Sequence, residues 1–360
     1  MTSNEIAGYR MVNQQLAGTQ IQSAPEMVKW FGAVQGQEYE QTKWGLGLRL
    51  PNLKESQIEN ELNDGKILRT HLLRPTWHFV HPEDIRWLLK ITAPGIQRIN
   101  AFMYRQTELD EKIFNRCNDI LIALLQGGNQ HTRNEINEEF KKHNIIAAGP
   151  RLSCIMMNAE LEGIICSGAR KGNQFTYALI DERINPAKQL NTEEALAEIT
   201  RRYFMSRSPA SATDFSIWSG LTMKECRRGI EMQGKSLQKI NGEGGSYFAF
   251  DLNSLAKPAE EIFLLPTYDE YIMGYKNRDA IFSLENSPKV RPDLKFISMI
   301  IYMGQVIGTW KRVLKIKEVD LRYSFFKQLN TKKLIALKKA IIRFEEFYGM
   351  RVAVTDFKAI

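Results

Sequence analysis

Two glutamines separated by one glycine occupy the centre of the segment VQGQEY, residues 34–39. Gly36 is a poor helix former, so the segment is predicted to be extended between two helical stretches. Residues two apart on an extended chain point to the same side, and Gln35 and Gln37 would therefore face one site. Each side-chain amide offers one acceptor oxygen and two donor hydrogens, so the pair can hold a water molecule in place. Glu38 would point away and is the second-choice base.

The spacing of the two glutamines also fits a purely structural role. Amides in a tight connection between helices commonly hydrogen-bond to nearby backbone groups, and from the spacing alone this is the favoured alternative. The spacing by itself therefore does not establish a catalytic pair.

A histidine in the next predicted hairpin is a further catalytic candidate. His78 lies between Trp77 and Phe79, and alternation along a strand aims it away from both rings, toward the cavity of the glutamines. A histidine hydrogen-bonded within the hairpin is the alternative. His71 and His78 are expected to face each other across the strands, with His81 nearby. No carboxylate or cysteine is patterned around the three, so no metal site is predicted.

Two adjacent carboxylates stand in the segment TYDEY, residues 267–271. Asp269 is a second-choice catalytic residue, with Glu270 beside it, provided that this segment approaches the glutamines from the C-terminal part of the chain. The alternative is that these side chains cap a turn or pair with Lys276 or Arg278.

Composition restricts the kind of partner. Lys and Arg total 49 against 41 Asp and Glu, which gives a formal charge of +8. This excess favours an anionic partner, nucleic acid first, although a merely soluble basic protein has the same composition. Four scattered cysteines form no CxxC pair, and no signal peptide or run of about 20 apolar residues is recognisable. We expect a soluble cytoplasmic protein with reduced thiols and no membrane contact.

Several chemistries are missing their sequence signatures. The chain contains no GxxxxGK[ST] phosphate loop, no HExxH, no GxSxG and no EF-hand loop. No metal, nucleotide or other cofactor is therefore predicted.

The elements that must position the candidate residues follow one order three times. Helical stretches at 23–33, 40–49 and 53–63 precede the hairpin KILRTHLLRPTWHFVH, and the same order returns over 113–181 and over 193–252. Helices followed by a hairpin indicate a winged helix. The sequence thus predicts three tandem winged-helix units in a concave array.

The chain changes character beyond residue 253. Strand-like EIFLLPTYDEYIMGY and FISMIIYMGQVIGTW precede an amphipathic helix after Thr331. Its apolar side is predicted to carry Leu334, Leu337, Ile341, Phe344 and Tyr348. The fold class is therefore α+β, with a C-terminal mixed α/β domain. The predicted domains are 1–112, 113–190, 191–252 and 253–360.

Tandem winged helices suggest duplex DNA as the partner, since each unit offers a helix to a groove and a hairpin to the backbone. Winged helices also serve as protein-protein modules, which is the alternative for any single unit. Six basic residues on predicted hairpins, helix starts or near the C-terminal strands are candidate DNA contacts, and simple solvation is the alternative for each. They are Arg74, Arg151, Arg170, Lys171, Lys311 and Arg312.

Several ordered segments together are similar to one known family. YRMVNQQLAG, VQGQEYEQTKWGLGLR, LRPTWHFVHPEDIRWLL and LLPTYDEYIMGYKNR resemble the AlkZ family of winged-helix DNA glycosylases, as do AELEGIICSG, RRYFMSRSPASATDFSIWSGL and QVIGTWKR. The resemblance covers nearly the whole chain. It reverses the ranking of structural and catalytic roles for the glutamines.

The resemblance implies an enzyme that removes alkylated bases from DNA, including guanines in interstrand crosslinks, through a glutamine-x-glutamine motif that falls on Gln35 and Gln37. A related branch of the family has aspartate at the second position. The family usually has alanine or an apolar residue at the middle position, where this chain has Gly36, and the extra flexibility is expected to affect substrate range and efficiency. A monomer acting on double-stranded DNA with alkylated bases is expected.

Three alternatives remain open from the sequence. A non-catalytic winged-helix transcriptional regulator would use the same units to read DNA sequence. A resistance protein would sequester a DNA-alkylating compound. A lyase would use a lysine amine to form a Schiff base, for which Lys43 is the nearest candidate.

Overall fold

The computed structural model describes residues 1–185, 189–250, 260–282, 297–314 and 318–356. Helices and short strands alternate along the chain, which confirms the predicted mixed α+β class. In these ranges no helix is both long enough and apolar enough to span a membrane.

The first unit follows an N-terminal helix, α1, at Ser3–Asn13. Its sheet has the order β1-β3-β2, so that the short first strand pairs with the far strand of the hairpin. Its elements are α2 at Ala24–Phe31, β1 at Ala33–Gln35, α3 at Tyr39–Arg49, α4 at Glu55–Asn63, β2 at Leu68–Leu72 and β3 at Thr76–Val80. A 22-residue helix, α5 at Ile85–Gln106, leads away from it.

The second unit repeats this order of elements, and its sheet, β4-β6-β5, repeats the strand order. Its elements are α6 at Glu111–Leu125, β4 at His131–Thr132, α7 at Arg133–Lys142, α8 at Pro150–Leu161, β5 at Ile165–Ser167 and β6 at Thr176–Leu179. A short helix, α9 at Ile180–Arg183, ends the unit.

The third unit has the same order again, with its first strand reduced to a bridge between Ala210 and Phe248. Its elements are α10 at Thr192–Arg207, α11 at Ala212–Ser219, α12 at Met223–Met232, β7 at Gln238–Gly242 and β8 at Gly245–Ala249. Helix α10 begins one residue before residue 193, where the third repeat was predicted to start. Asn191 and Glu194 form a capping box at its start.

The C-terminal part contains a five-stranded sheet with the order β13-β12-β11-β10-β9. Its elements are β9 at Ile262–Leu265, α13 at Glu270–Met273, β10 at Ser298–Tyr302, β11 at Gln305–Leu314, β12 at Glu318–Phe325, α14 at Thr331–Tyr348 and β13 at Arg351–Asp356. The predicted boundary at residue 252 lies outside the described residues.

The hydrophobic cores do not correspond one to one to the units, and two of the cores are shared between parts that are distant in the sequence. The second unit has a core of its own, whereas the first and third units share one. Helices α1 to α4 share another core with the C-terminal sheet. Trp44 of α3 illustrates this packing, because its ring lies 4.9 Å from that of Phe344 and its indole N–H donates to the carbonyl oxygen of Leu264 at 2.7 Å.

Two predictions for the C-terminal part were wrong in detail. The strand-like segment EIFLLPTYDEYIMGY is a strand only over Ile262–Leu265, after which Asp269 caps the short helix α13. In α14, Leu334 is 46% exposed, while Ala336, Ala340 and Phe347 are buried beside the predicted Leu337 and Phe344. The buried side of α14 therefore differs from the predicted one. The prediction considered large apolar residues, whereas the small residues Ala336 and Ala340 also lie on the buried side.

Candidate functional site

The two motif glutamines lie where β1 leads into α3. Gly32 ends α2 with φ of 76°, a conformation that glycine adopts without strain, and so allows β1 to start at once. Strand β1 pairs antiparallel with β3, which places Gln35 opposite His78. The chain is extended through Gln35 and then bends at residues 37 and 38 before α3.

Gln35 is 5% exposed, and its polar groups are held from three directions. Its side-chain oxygen accepts a hydrogen bond from Nη2 of Arg74 at 3.0 Å. Its backbone N–H donates to Oε1 of Glu270 at 2.9 Å. The hydroxyl of Thr42 lies 3.0 Å from its backbone oxygen. Because a guanidinium can only donate, Arg74 determines which end of the amide is the oxygen.

Arg74 links the glutamine to the histidine and to the third unit. Its Nη2 lies 3.4 Å from Nε2 of His78, and its Nη1 donates to the carbonyl oxygen of Trp218. Nδ1 of His78 lies 2.9 Å from the carbonyl oxygen of Thr76, so Nδ1 carries the hydrogen and Nε2 accepts. Burial, together with the Arg74 charge, holds the pKa of His78 well below its usual value. The imidazole is therefore neutral.

The side chain of Gln37 takes the place of a backbone acceptor at the end of the β1–β3 pairing. Its side-chain oxygen accepts from the backbone N–H of Trp77 at 3.4 Å. Gly36 donates its own N–H to the carbonyl oxygen of Trp77 at 2.7 Å. A backbone N–H can only donate, so the oxygen of this amide is also turned toward the sheet. In the described part of the chain, no hydrogen bond involves the side-chain nitrogen of Gln35 or Gln37.

The middle position of the motif is held tightly. The carbonyl oxygen of Gly36 accepts from Nε of Arg69 at 3.0 Å. A Cβ added at Gly36 would lie 3.0 Å from Cδ1 of Phe79, closer than side chains normally approach. Arg69 itself is sandwiched between Trp77 and Phe175, with its Cζ 4.3 and 4.6 Å from their ring centroids. Both polar backbone groups of Gly36 are thus fixed by residues from β2 and β3.

Glu270 connects the motif to the third unit and the C-terminal part. Its carboxylate is 1% exposed and accepts from Nη2 of Arg207 at 2.6 Å and from Nε1 of Trp218 at 3.0 Å, in addition to the Gln35 N–H. Arg207 also donates to the carbonyl oxygens of Phe31 and Ala33. The carboxylate also accepts from Nε of Arg207 at 3.2 Å. All four contacts come from N–H donors, two of them on the charged guanidinium, so the buried carboxylate is fully hydrogen-bonded.

The expected alternative partners of the TYDEY carboxylates were wrong. Asp269 pairs with Arg49 through two hydrogen bonds of 2.8 and 2.9 Å, and Glu270 pairs with Arg207, instead of Lys276 or Arg278. Asp269 is 4% exposed and also caps α13. The TYDEY segment does reach the glutamines, but through Glu270 and with both carboxylates already paired.

In the part of the chain that the structure describes, the side chains of Glu38 and Lys43 form no hydrogen bond with either amide. Glu38 is exposed and precedes α3 without capping it. Lys43 is 1% exposed and pairs with three carboxylates, those of Glu40, Glu55 and Glu59. Burial alone would lower the pKa of Lys43, but these carboxylates together raise it above its usual value. Its amine is therefore protonated and is not a nucleophile.

The histidines of the first hairpin do not face each other, which corrects the prediction. The register pairs His71 with Trp77 and His78 with Thr70, so the two imidazoles lie on opposite faces of the sheet. His71 instead bonds to the buried carboxylate of Glu160 in α8 through Nδ1.

The predicted DNA contacts lie in different environments. Arg74 is turned inward to Gln35, and Arg151 donates to the carbonyl oxygens of Thr107 and Glu108. Arg170 pairs with Glu40 and lies over the ring of Tyr39. The other three are near the surface. Lys171 pairs with Glu135, Arg312 donates to the hydroxyl of Tyr348, and Lys311 is exposed on β11.

Reasoning from the sequence missed Arg69, Arg207 and Trp218. Arg69 lies within the alternating pattern of the first hairpin, which predicts only an ordinary strand residue at this position. Arg207 and Trp218 lie in RRYFMSRSPASATDFSIWSGL, a segment that resembles the family but whose pattern predicts no role for either residue. A basic residue among aromatic residues indicates a buried ion pair only once its carboxylate partner is known.

Comparisons with known proteins agree with this arrangement of elements. A family profile described as "DNA glycosylase AlkZ-like" matches residues 28–347. A curated protein of Streptomyces sahachiroi, "Interstrand DNA cross-link repair glycosylase", is 22% identical over 334 residues, which are 86% of this chain and 87% of that protein. The solved structure of the "Streptomyces sahachiroi DNA glycosylase AlkZ" superposes with a TM-score of 0.82 at 20% identity, over 99% of this chain and all of that one.

Proposed function

This chain belongs to the AlkZ-like family of DNA glycosylases, and we propose that it hydrolyses the bond between deoxyribose and a base made cationic by alkylation, such as a 7-alkylguanine. The proposal includes interstrand crosslinks joined through such bases, because the Streptomyces sahachiroi relative is named for their repair. The proposed partner is double-stranded DNA carrying these bases, which the protein meets as a monomer in the cytoplasm, at the nucleoid.

The observation that carries this choice of substrate is the charge state of the groups around Gln35. Glu270 and Asp269 are buried in ion pairs with Arg207 and Arg49, and His78 is neutral. Near Gln35, none of these groups offers a free proton. A site without a general acid suits a leaving base that already carries a positive charge, since such a base departs neutral and needs no protonation.

The two amides then have the task of placing the water. With each oxygen turned toward the sheet, the N–H hydrogens of Gln35 and Gln37 are available to the water or to the nucleotide. Each oxygen also keeps a second lone pair, which can accept a hydrogen from the water. A water molecule held next to the anomeric carbon is already oriented for attack on the oxocarbenium-like centre. This orientation lowers the activation free energy of hydrolysis, because the water need not be captured from bulk solvent.

His78 has a positioning role in this proposal. Its neutral Nε2 accepts from Arg74, and Arg74 in turn orients the amide of Gln35. A protonated imidazole would place a second cation beside Arg74 and oppose the positive charge that develops on the sugar. The alternative lyase mechanism is not favoured, because the amine of Lys43 is held protonated by three carboxylates.

The alternative function, a non-catalytic winged-helix transcriptional regulator, is also less well supported. Such a regulator would place the last helix before each hairpin in a major groove. Helix α4 carries Glu55, Glu59 and Glu61 and no basic residue, and α8 packs against α5, α6 and β2. Helix α12, with Lys224, Arg227 and Arg228, is the basic one of the three.

The test is release of the base from a duplex that contains one 7-methylguanine, measured under single-turnover conditions with the DNA saturated. The wild type is compared with Gln35→Ala and Gln37→Ala, and Gln22→Ala, an exposed glutamine before α2, is the matched control. We expect each motif variant to release the base at least about tenfold more slowly, a rise of about 1.4 kcal/mol in the barrier, and the control to match the wild type.

Two results would overturn the proposal. If the wild type binds the duplex but releases neither 7-methylguanine nor a bulkier 7-alkylguanine nor a crosslinked guanine, the substrate class is wrong. If the wild type releases the base and both motif variants do so equally fast, the glutamines are not the water-positioning residues. Binding of a free alkylating compound without DNA would favour sequestration.

A further inference from the structure

The second half of α5 exposes a mixed apolar and basic face. Ile99, Phe102 and Met103 are 65%, 59% and 40% exposed, and Arg98 and Arg105 are also exposed. These five residues, here called the α5 face, recur at helical spacing and lie on one side of the helix. The exposure of three large apolar side chains within five positions is unusual for a solvated helix face.

The opposite side of the same helical stretch is packed on the second unit. The ring of Tyr104 lies 5.0 Å from that of Phe114, Asn100 contacts the sulfur of Met157, and Gln97 donates to Glu162. The α5 face therefore points away from the second unit. In the first half of the helix, the corresponding side carries Trp87 and Leu88, which are buried in the shared core of the first and third units.

The α5 face begins beside the candidate site. A Cβ added at Gly95 would lie 3.7 Å from the carbonyl oxygen of Gly220, and one added at Gly220 would collide with the carbonyl oxygen of Leu73. Leu73 is followed by Arg74, which bonds to Gln35. Ile99 follows Gly95 by one turn and Phe102 by two, so the face extends about 6 to 10 Å along the helix from this junction.

The charge of the helix favours a polyanion as the occupant. Helix α5 contains Arg86, Lys90, Arg98 and Arg105 and no acidic residue. Among the described residues, the guanidinium group of neither Arg98 nor Arg105 takes part in an ion pair or hydrogen bond. Unpaired guanidinium groups flanking an apolar strip match a DNA duplex, in which phosphates border a groove that accepts apolar side chains.

We propose that the α5 face contacts the minor groove of the duplex next to the damaged nucleotide, with Arg98 and Arg105 on phosphates and Phe102 as a wedge between neighbouring base pairs. This inference rests on the proposed action on double-stranded DNA and adds the surface that holds and bends it. Partial unstacking by the wedge lowers the energy needed to expose the bond that the site must reach.

The test measures binding and bending of an undamaged duplex, which requires no base release. The variants are Phe102→Ser, Arg98→Gln and Arg105→Gln, with Ile122→Ser and Lys112→Gln on α6 as controls for an exposed apolar and an exposed basic residue. We expect Phe102→Ser to weaken binding about tenfold and to reduce the bend seen by energy transfer between labelled DNA ends. Each arginine variant should lower the slope of log affinity against log salt by about 0.9.

The outcomes separate this inference from the proposed function. Loss of binding by these variants, whether or not 7-methylguanine is released, supports the α5 face as a DNA surface. Unchanged affinity and bending in all three variants overturns it, even if the wild type is an active glycosylase. A wild type that dimerises in light scattering, becomes monomeric on Phe102→Ser and keeps its DNA affinity would show that a second copy covers the face.

Discussion

The first and second units have the same order of helices and strands, yet the junction between the first strand and the following helix differs between them. In the second unit, β4 leads directly into α7, and Thr132 and Glu135 close a capping box within four residues. In the first unit, three residues separate β1 from α3, and no side chain caps the helix. The third unit resembles the second, with Ser211 and Asp214 forming the box.

The difference shows how a repeated unit acquires a site. At the second junction Thr132 and Glu135 cap the helix locally, while β4 pairs with β6 and Glu135 also pairs with Lys171. At the first junction, Gly36 bonds to Arg69, and Gln35 bonds to Arg74 and Glu270. The amides are thereby held in place by distant residues, while their N–H groups remain available. Preorganisation of this kind is what an active site requires.

The largest effect should follow from breaking the buried ion pair behind the first junction. Glu270→Ala leaves Arg207 buried without its carboxylate, and we expect unfolding in urea to show a loss of about 3 to 5 kcal/mol. Glu270→Gln keeps the acceptor for the Gln35 N–H and should lose less. Equal stability of the alanine variant and the wild type would show that the first junction does not depend on this ion pair.

A smaller effect is expected from removing the partner of the Gly36 carbonyl group. Arg69→Met keeps much of the packing between Trp77 and Phe175 but leaves this oxygen without its donor, which should cost about 1 to 3 kcal/mol. The rate of base release should also fall about tenfold at saturating DNA, because Gln37 is displaced. Arg69→Lys should recover part of that rate. A stability loss with an unchanged rate would limit Arg69 to a structural role.

The pH dependence of stability should differ between the β1–β3 pair of the first unit, which contains His78, and the β4–β6 pair of the second unit, which contains His131. The pKa of His78 is depressed in the folded protein, so below about pH 6.5 only the unfolded chain takes up this proton. His78 therefore contributes no penalty above that pH, and stability declines by up to about 1.4 kcal/mol per pH unit below it. His78→Gln should flatten the decline, whereas His131→Gln in β4 serves as the matched control. Parallel curves for the wild type and His78→Gln would contradict the assignment.

The smallest effect concerns the local capping box of the second junction. Thr132→Ala removes the cap of α7 and should cost about 1 kcal/mol, with the rate of base release from bound DNA unchanged. Glu38→Ala at the first junction removes no capping hydrogen bond and should change stability by less than about 0.5 kcal/mol. Denaturation midpoints of the two variants measure this contrast directly, and the reverse order would contradict it.

Much of the fold was predictable because its signals are local. The capping boxes that start α7, α10, α11 and α12 lie within four residues of each helix start, and the hairpins alternate over a few residues. The position of the motif between two helices was predicted for the same reason. The partners of its residues were not, since Glu270 lies 235 residues from Gln35 and Arg207 lies 63 residues from Glu270. Neither periodicity nor spacing carries information over such separations.

The sequence by itself determined most of the helices and hairpins, that Gln35 and Gln37 stand between two helices, and that the chain resembles a family of DNA glycosylases. Only the tertiary structure decided that Arg74 faces inward, that His78 is neutral and opposite Gln35, and that Glu270 rather than Asp269 touches the motif. The reason is physical. Helix and strand signals arise from short-range sterics and hydrogen bonding, whereas the orientation of an amide and the charge of a buried group depend on whichever distant donors and carboxylates the fold packs against them.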